Sequence, residues 1–184
     1  MKLESMVGWL RFQSRLCLAL SILSIPILGR AQDGYPRDRK FDVIHYQFKM
    51  DFYENSKGID GETRIVFVPE KDCKNLFFDL VALSDKGSGM EVFSISNRQG
   101  KMAFEHKEDR LTIPYQYQGK EQDTLIIRYS GIPADGLIIS RNKHGHKTVF
   151  GDNWPNRAHH WLPVVDHPTE KALMEFWVKH PSSY

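Results

Sequence analysis

From Ile44 to Phe52 the sequence alternates strictly between apolar and polar residues. Ile44, Tyr46, Phe48, Met50 and Phe52 fall on one side, and His45, Gln47, Lys49 and Asp51 on the other. A period of two is the repeat of an extended chain with one buried face and one wet face, and no helix can present it. The same alternation recurs at Thr63, Ile65 and Phe67, at Leu125, Ile127 and Tyr129, and at Ala172, Met174, Phe176 and Val178. Shorter apolar runs at Leu76 to Leu80, Val92 to Ile95, Leu111 to Ile113 and Leu137 to Ile139 predict buried or edge strands. Turn-forming groups separate them: Asn55 to Gly58, Asp85 to Gly89, Gln99-Gly100, Gly119-Lys120 and Pro133 to Gly136. There glycine supplies positive φ and proline fixes its own. Short strands at this spacing, with no long helical pattern, predict an all-β domain, an antiparallel sandwich or saddle-like sheet.

Residues 1–31 stand outside that pattern. Lys2, Arg11 and Arg15 precede an apolar run from Leu16 to Leu28, and Gly29-Arg30-Ala31 places small residues where a signal peptidase needs them. The run is shorter than the roughly 20 residues of a membrane span. It therefore predicts a cleaved secretory leader rather than an anchor, and a periplasmic or secreted product. Cys17 is preceded by Ser14, Arg15 and Leu16, and an arginine so near the cysteine does not suit a lipidation site. The leader carries +3 of the chain's formal +2, which leaves −1 on residues 32–184. A near-neutral chain has neither the basic surface that nucleic acid requires nor a polybasic membrane patch. Cys73 is then the only cysteine, so no internal disulfide is available and apolar burial must carry the fold.

Composition changes at Gly145. The stretch GHKTVFGDNWPNRAHHWLPVVDHP holds two tryptophans, three prolines and four histidines without a period, and predicts a long irregular loop from Gly145 to Pro168. Such loops on a β scaffold often carry binding function, although Trp154, Trp161 and the prolines could equally plug one end of the sandwich. The histidines lack metal-ligand spacing: His144 and His146 are two apart, and His159 and His160 are adjacent, so on an extended chain their rings point to opposite faces. No G-x-S-x-G elbow, P-loop or G-x-G-x-x-G is present. Asp152 and Asp166 could be paired as glycosidase carboxylates, but Asp166, followed by His167-Pro168, reads better as a turn residue.

Within this loop, Trp161-Leu162-Pro163-Val164-Val165-Asp166-His167-Pro168 followed by Lys171-Ala172 resembles the W/F-x-P-x-x-D-x-P-x-x-K-A stretch of the M1 zinc aminopeptidase family. Phe41-Asp42-Val43-Ile44-His45-Tyr46 is similar to that family's first strand, Gly61-Glu62-Thr63 to its second, and Tyr129-Ser130-Gly131 with Gly136-Leu137-Ile138 to a later hairpin. Four matches in order, over about residues 38–184, resemble the N-terminal β-domain of such an enzyme.

The resemblance implies a β-saddle that packs on a thermolysin-like catalytic domain of the same parent chain and lines its peptide cleft. Zn2+ is then expected in that catalytic domain, where H-E-x-x-H holds it and G-x-M-E-N takes the substrate's amine. Neither motif occurs here, so no catalytic residue and no cofactor are expected in this chain, and the β-domain over 32–184 is expected to stop short of its last strands. Asp152, Asn153, Trp154 and Arg157 become the cleft candidates, and Trp161, Pro163, Asp166, Pro168 and Lys171 the structural motif. Trp154 occupies a position where many family members carry Glu or Gln; its indole offers a cation–π face, and Asp152 could supply a charge. The alternative is a free-standing sandwich that binds peptide or glycan through the tryptophan loop.

Overall fold

A computed structural model describes residues 39–119 and 121–182 of the chain. The leader expected over 1–31, and Lys120 of one expected turn, lie outside the described residues. Eleven strands follow in order: β1 (Phe41–Phe52), β2 (Ile59–Pro69), β3 (Asn75–Asp79), β4 (Gly89–Asn97), β5 (Gly100–Met102), β6 (Glu105–Lys107), β7 (Arg110–Pro114), β8 (Asp123–Ile132), β9 (Leu137–Arg141), β10 (Lys147–Gly151) and β11 (Leu173–Lys179). A single 3-10 turn, Ala158–His160, is the only helical element among the described residues. None is long and apolar enough to cross a membrane.

The strands form a six-stranded sheet in the order β11-β1-β2-β8-β4-β5, a three-stranded sheet β3-β7-β6 and the β9–β10 hairpin. All pairs are antiparallel except β1 with β11. The alternation does what period two requires. Tyr46, Phe48 and Met50 of β1, Ile59, Ile65 and Phe67 of β2, and Leu125, Ile127 and Tyr129 of β8 are buried on one face of the large sheet. Leu76 and Phe78 of β3 and Leu111 and Ile113 of β7 bury the small sheet's inner face. Phe41 joins the two, with its ring centroid 5.5 Å from Phe77 and 5.6 Å from Phe78. Each large side chain so buried contributes about 1.5–3 kcal/mol, which makes this core the main source of stability.

Two details depart from the sequence pattern. The register of β1 against β2 steps between Val43, opposite Phe67, and His45, opposite Val66, so Ile44 is the extra residue of a β-bulge. The bulge shifts the phase by one, and Phe41 and Val43, not Ile44, join Tyr46 on the buried face. At the other end of the chain, β11 is a strand as expected, but its alternation does not mark a buried face. Leu173, Met174, Phe176, Trp177 and Val178 are 46–72% exposed, because β11 is the edge of the sheet.

The core holds few polar groups, and those are bonded. Thr63 donates to the Tyr129 hydroxyl at 3.5 Å, and that hydroxyl donates to the Met50 sulfur at 3.7 Å. Burial pushes the Tyr129 phenol well above its ordinary pKa, so it stays a neutral donor. Gly61 makes room for this ring, since a Cβ there would lie 2.3 Å from Tyr129 Cζ.

Candidate functional site

The loop expected from Gly145 starts later. Lys147–Gly151 is strand β10, paired with β9 in register from Lys147↔Arg141 to Gly151↔Leu137. Thr148, Val149 and Phe150 supply the β-branched and aromatic character of a strand, which the flanking histidines and prolines obscured in the sequence. Lys147 fastens the hairpin to the β1–β2 turn by donating to the carbonyls of Tyr53, Glu54 and Ser56 at 2.7, 2.9 and 2.8 Å.

The irregular segment after β10 divides into an exposed half and a buried half. Gly151 to Asn156 are exposed, Trp154 at 79%, whereas Trp161, Leu162, Pro163, Val164 and Val165 are buried. Trp161 therefore plugs the end of the core and Trp154 does not. The buried half closes onto both sheets: the Val165 N–H donates to the Tyr46 hydroxyl at 3.1 Å, and Val164 and Asp79 exchange backbone bonds at 2.7 and 3.2 Å.

Arg157 organises the exposed half. Its Nε donates to the Trp154 carbonyl at 2.8 Å, and its Nη2 lies 2.5 Å from an Asp152 carboxylate oxygen. Its Nη1 lies 3.5 Å from Asp135, on the β8–β9 turn. The Gly136 N–H and then Arg157 hold the Asp135 carboxyl below the usual carboxylate range. Gly136, at φ 73°, is required twice over: its backbone is left-handed, and a Cβ would lie 2.2 Å from the Arg157 carbonyl. Asn153 accepts from the Trp161 indole N–H at 3.0 Å, so the exposed half hangs from the plug. Asp152 thus answers Arg157 first and is not a carboxylate without a cation.

The motif residues play a different part. Asp166 accepts from the His159 backbone N–H at 3.1 Å and the His159 ring Nδ1 at 2.6 Å, while its own N–H donates to Asp79 at 3.1 Å. It is more than a turn residue: it clasps the 3-10 turn to strand β3. That turn also corrects the expectation for the two histidines, whose rings lie on one side, 4.6 Å apart and 31° from coplanar, because a 3-10 turn does not alternate. The Asp166 hydrogen bond raises the His159 pKa, and burial, then its charged neighbour, lowers that of His160. Pro168 and Lys171 are exposed and lead into β11. The Asp135 contact was not legible locally, since 22 positions separate it from Arg157. Among the described residues no three His, Cys, Asp or Glu side chains are placed to hold a metal ion.

Comparison with solved structures places this arrangement. The M1 zinc metallopeptidase from Deinococcus radiodurans superposes with a TM-score of 0.60 at 20% identity, over 78% of this chain and 33% of that one. The fold is that of a β-domain of M1 zinc metallopeptidases. A mutant of the Deinococcus enzyme bound to a Tyr-Ser-Ala substrate matches equally, at a TM-score of 0.60 and 20% identity over 78% of this chain and 33% of that one. Yeast LTA4 hydrolase in complex with bestatin matches at a TM-score of 0.65 and 18% identity, over 77% of this chain and 23% of that one. No family model and no curated protein matches the sequence. At these identities the likeness is one of fold, and this chain spans about a third or less of the M1 chains it matches.

Proposed function

We propose that this chain is the non-catalytic N-terminal β-domain of an exported M1-type zinc aminopeptidase, packing on a catalytic domain and lining its peptide cleft with residues 151–163. The observation that carries the reading is the exposed Asp152 and Trp154 with the half-buried Arg157, held in place by Asn153, Trp161 and Asp135, on a fold shared with a metallopeptidase solved with a Tyr-Ser-Ala substrate. A rigid base beneath an exposed indole and a charged pair is what orients a ligand without loss of order on binding. In this reading the Zn2+ and the hydrolysis belong to the catalytic domain, and residues 1–31 direct export. The purified chain is expected to give no chelator-sensitive hydrolysis of an aminoacyl chromogenic substrate, and turnover would refute the assignment. Finding G-x-M-E-N and H-E-x-x-H in the coding sequence after Tyr184 would support it directly.

The exposure of Trp154 also favours a second reading, a free-standing sandwich that binds peptide or glycan. That reading requires saturable quenching of tryptophan fluorescence by a short peptide or oligosaccharide, lost in Trp154→Ala. A flat titration on the folded chain removes it.

A further inference from the structure

Two imidazoles share one side of the 3-10 turn, and their surroundings differ. The His159 ring is tied at Nδ1 to Asp166 at 2.6 Å, and the His159 carbonyl accepts from the Val81 N–H at 2.8 Å, so this residue is fastened to the core from two directions. The His160 ring lies 4.6 Å from it. Its Nδ1 is buried and has no hydrogen-bond partner among the described residues. The acidic groups that face the pair come from four elements: Asp166 after the turn, Asp79 at the end of β3, Asp109 between β6 and β7, and Asp135 between β8 and β9. Three of them are already engaged elsewhere. Asp79 lies 3.4 Å from Arg110, Asp109 accepts from the Ala82 N–H at 2.9 Å, and Asp135 lies 3.5 Å from Arg157.

These surroundings make the two rings take up protons in sequence. The bond to Asp166 raises the His159 pKa, so His159 charges first and stays where it is. Burial, then that neighbouring charge, holds the His160 pKa down. In stronger acid the second ring must carry its charge 4.6 Å from the first, on a buried nitrogen that has no acceptor, and both the repulsion and the burial oppose this. His159 cannot yield, because Asp166 and Val81 hold it. The load falls on the other side of His160, where its N–H donates to the Arg157 carbonyl at 3.2 Å, a longer bond than the 3.1 and 2.9 Å of the two that follow it in the turn. Arg157 in turn holds the Trp154 carbonyl, Asp152 and Asp135.

We propose that the His159–His160 pair is an acid-operated latch on the exposed half of the irregular segment: with His160 neutral Arg157 holds residues 151–157 in place, and with both rings charged the turn opens at Arg157 and releases them while the core stays closed. The latch is built from residues inside the fold and acts on the candidate site whatever that site binds, so it does not rest on the peptidase reading.

Amide hydrogen exchange followed by NMR on the purified chain, corrected for the intrinsic pH dependence of exchange, reads the latch directly. The N–H groups of Asp152, Arg157 and His160 are bonded to the carbonyls of Gly136, Asn153 and Arg157. Between about pH 7.5 and about pH 5, on either side of the ordinary imidazole value, their protection should fall by about tenfold, the change that goes with a pKa about one unit lower in the closed state than in the open one. The amides of β8, inside the large sheet, should keep theirs. The midpoint of the loss should coincide with the titration of the His160 ring protons in the same spectra and lie at lower pH than that of His159. His160→Gln cannot take up the charge and should hold protection constant across the range, with circular dichroism confirming that it is folded. Unchanged protection in the wild type, a loss shared by β8, a midpoint that follows His159, or a loss that persists in folded His160→Gln each overturns the latch. The comparison of midpoints needs no variant and decides the question where His160→Gln does not fold.

Discussion

Replacing Asp166 by asparagine tests the clasp that holds the candidate site against the core. The carboxylate accepts from both the backbone and the ring of His159, and both side chains are largely buried, with 15% and 21% of their surface exposed. The amide oxygen of the substituted side chain keeps the shape and can still accept one bond, but the charge is lost. A hydrogen bond between charged groups contributes about 1.5–3 kcal/mol and a neutral one about 0.5–1.5, so in acid the substitution should cost roughly 1–2 kcal/mol. The sign with pH follows from linkage. The carboxylate raises the folded-state pKa of His159 above its unfolded value. Its stabilisation is therefore complete below the unfolded pKa, near 6.5, and is lost as the pH rises through the folded value. Urea unfolding followed by tryptophan fluorescence, at pH 5.5 and pH 9 (about one unit below and two or more above the unfolded pKa), should give a larger difference between wild type and Asp166→Asn in acid. An equal difference at both pH values, or a larger one in alkali, would refute the assignment of a charged His159–Asp166 pair.

Further outcomes follow from the same geometry. Gly61→Ala sets a methyl 2.3 Å from the Tyr129 ring in the closed core, and overpacking of this kind should cost about 1–3 kcal/mol in urea unfolding. Trp154→Ala removes an indole that is 79% exposed and should change stability by less than about 0.5 kcal/mol, so any loss of peptide binding in that variant reports on contact rather than folding. Arg157→Ala frees the Trp154 carbonyl, Asp152 and Asp135 together, and limited proteolysis should find new cleavage between residues 151 and 157 with the core still folded. Burial lowers the folded-state pKa of His160, so it contributes stability above pH 6.5 that fades as the pH falls through the folded value; His160→Gln should flatten that acid limb of the stability profile.

The strands were legible because each depends on its own alternation. Thr63, Ile65 and Phe67, and Leu125, Ile127 and Tyr129, lie buried where period two places them, since both strands sit inside the sheet and one face of each meets the core. The failures share a cause that no single strand contains. The alternation of Met174, Phe176 and Val178 could not say that their strand would be an edge, because edge or centre depends on which other strands flank it. The bulge at Ile44 inverted a phase that the flanking residues otherwise kept. The candidate site was read as far as its composition allowed, with Trp154 and Arg157 marked and Trp161 placed in a structural motif. The ties that make it a site, Arg157 to Asp135 and Asp166 to Asp79, join residues that only the closed fold brings together.

The parallel pairing of β1 with β11 also sets the order in which this domain can form. Gln47 and Glu175, which bond across that pair at 2.9 Å, are 128 positions apart in the chain. Strand β1 must wait for β11 before its second edge is covered, and the entropy of closing so long a loop makes such contacts slow to form. Hairpins such as β9–β10 can close early and reversibly, while the large sheet is sealed at the end.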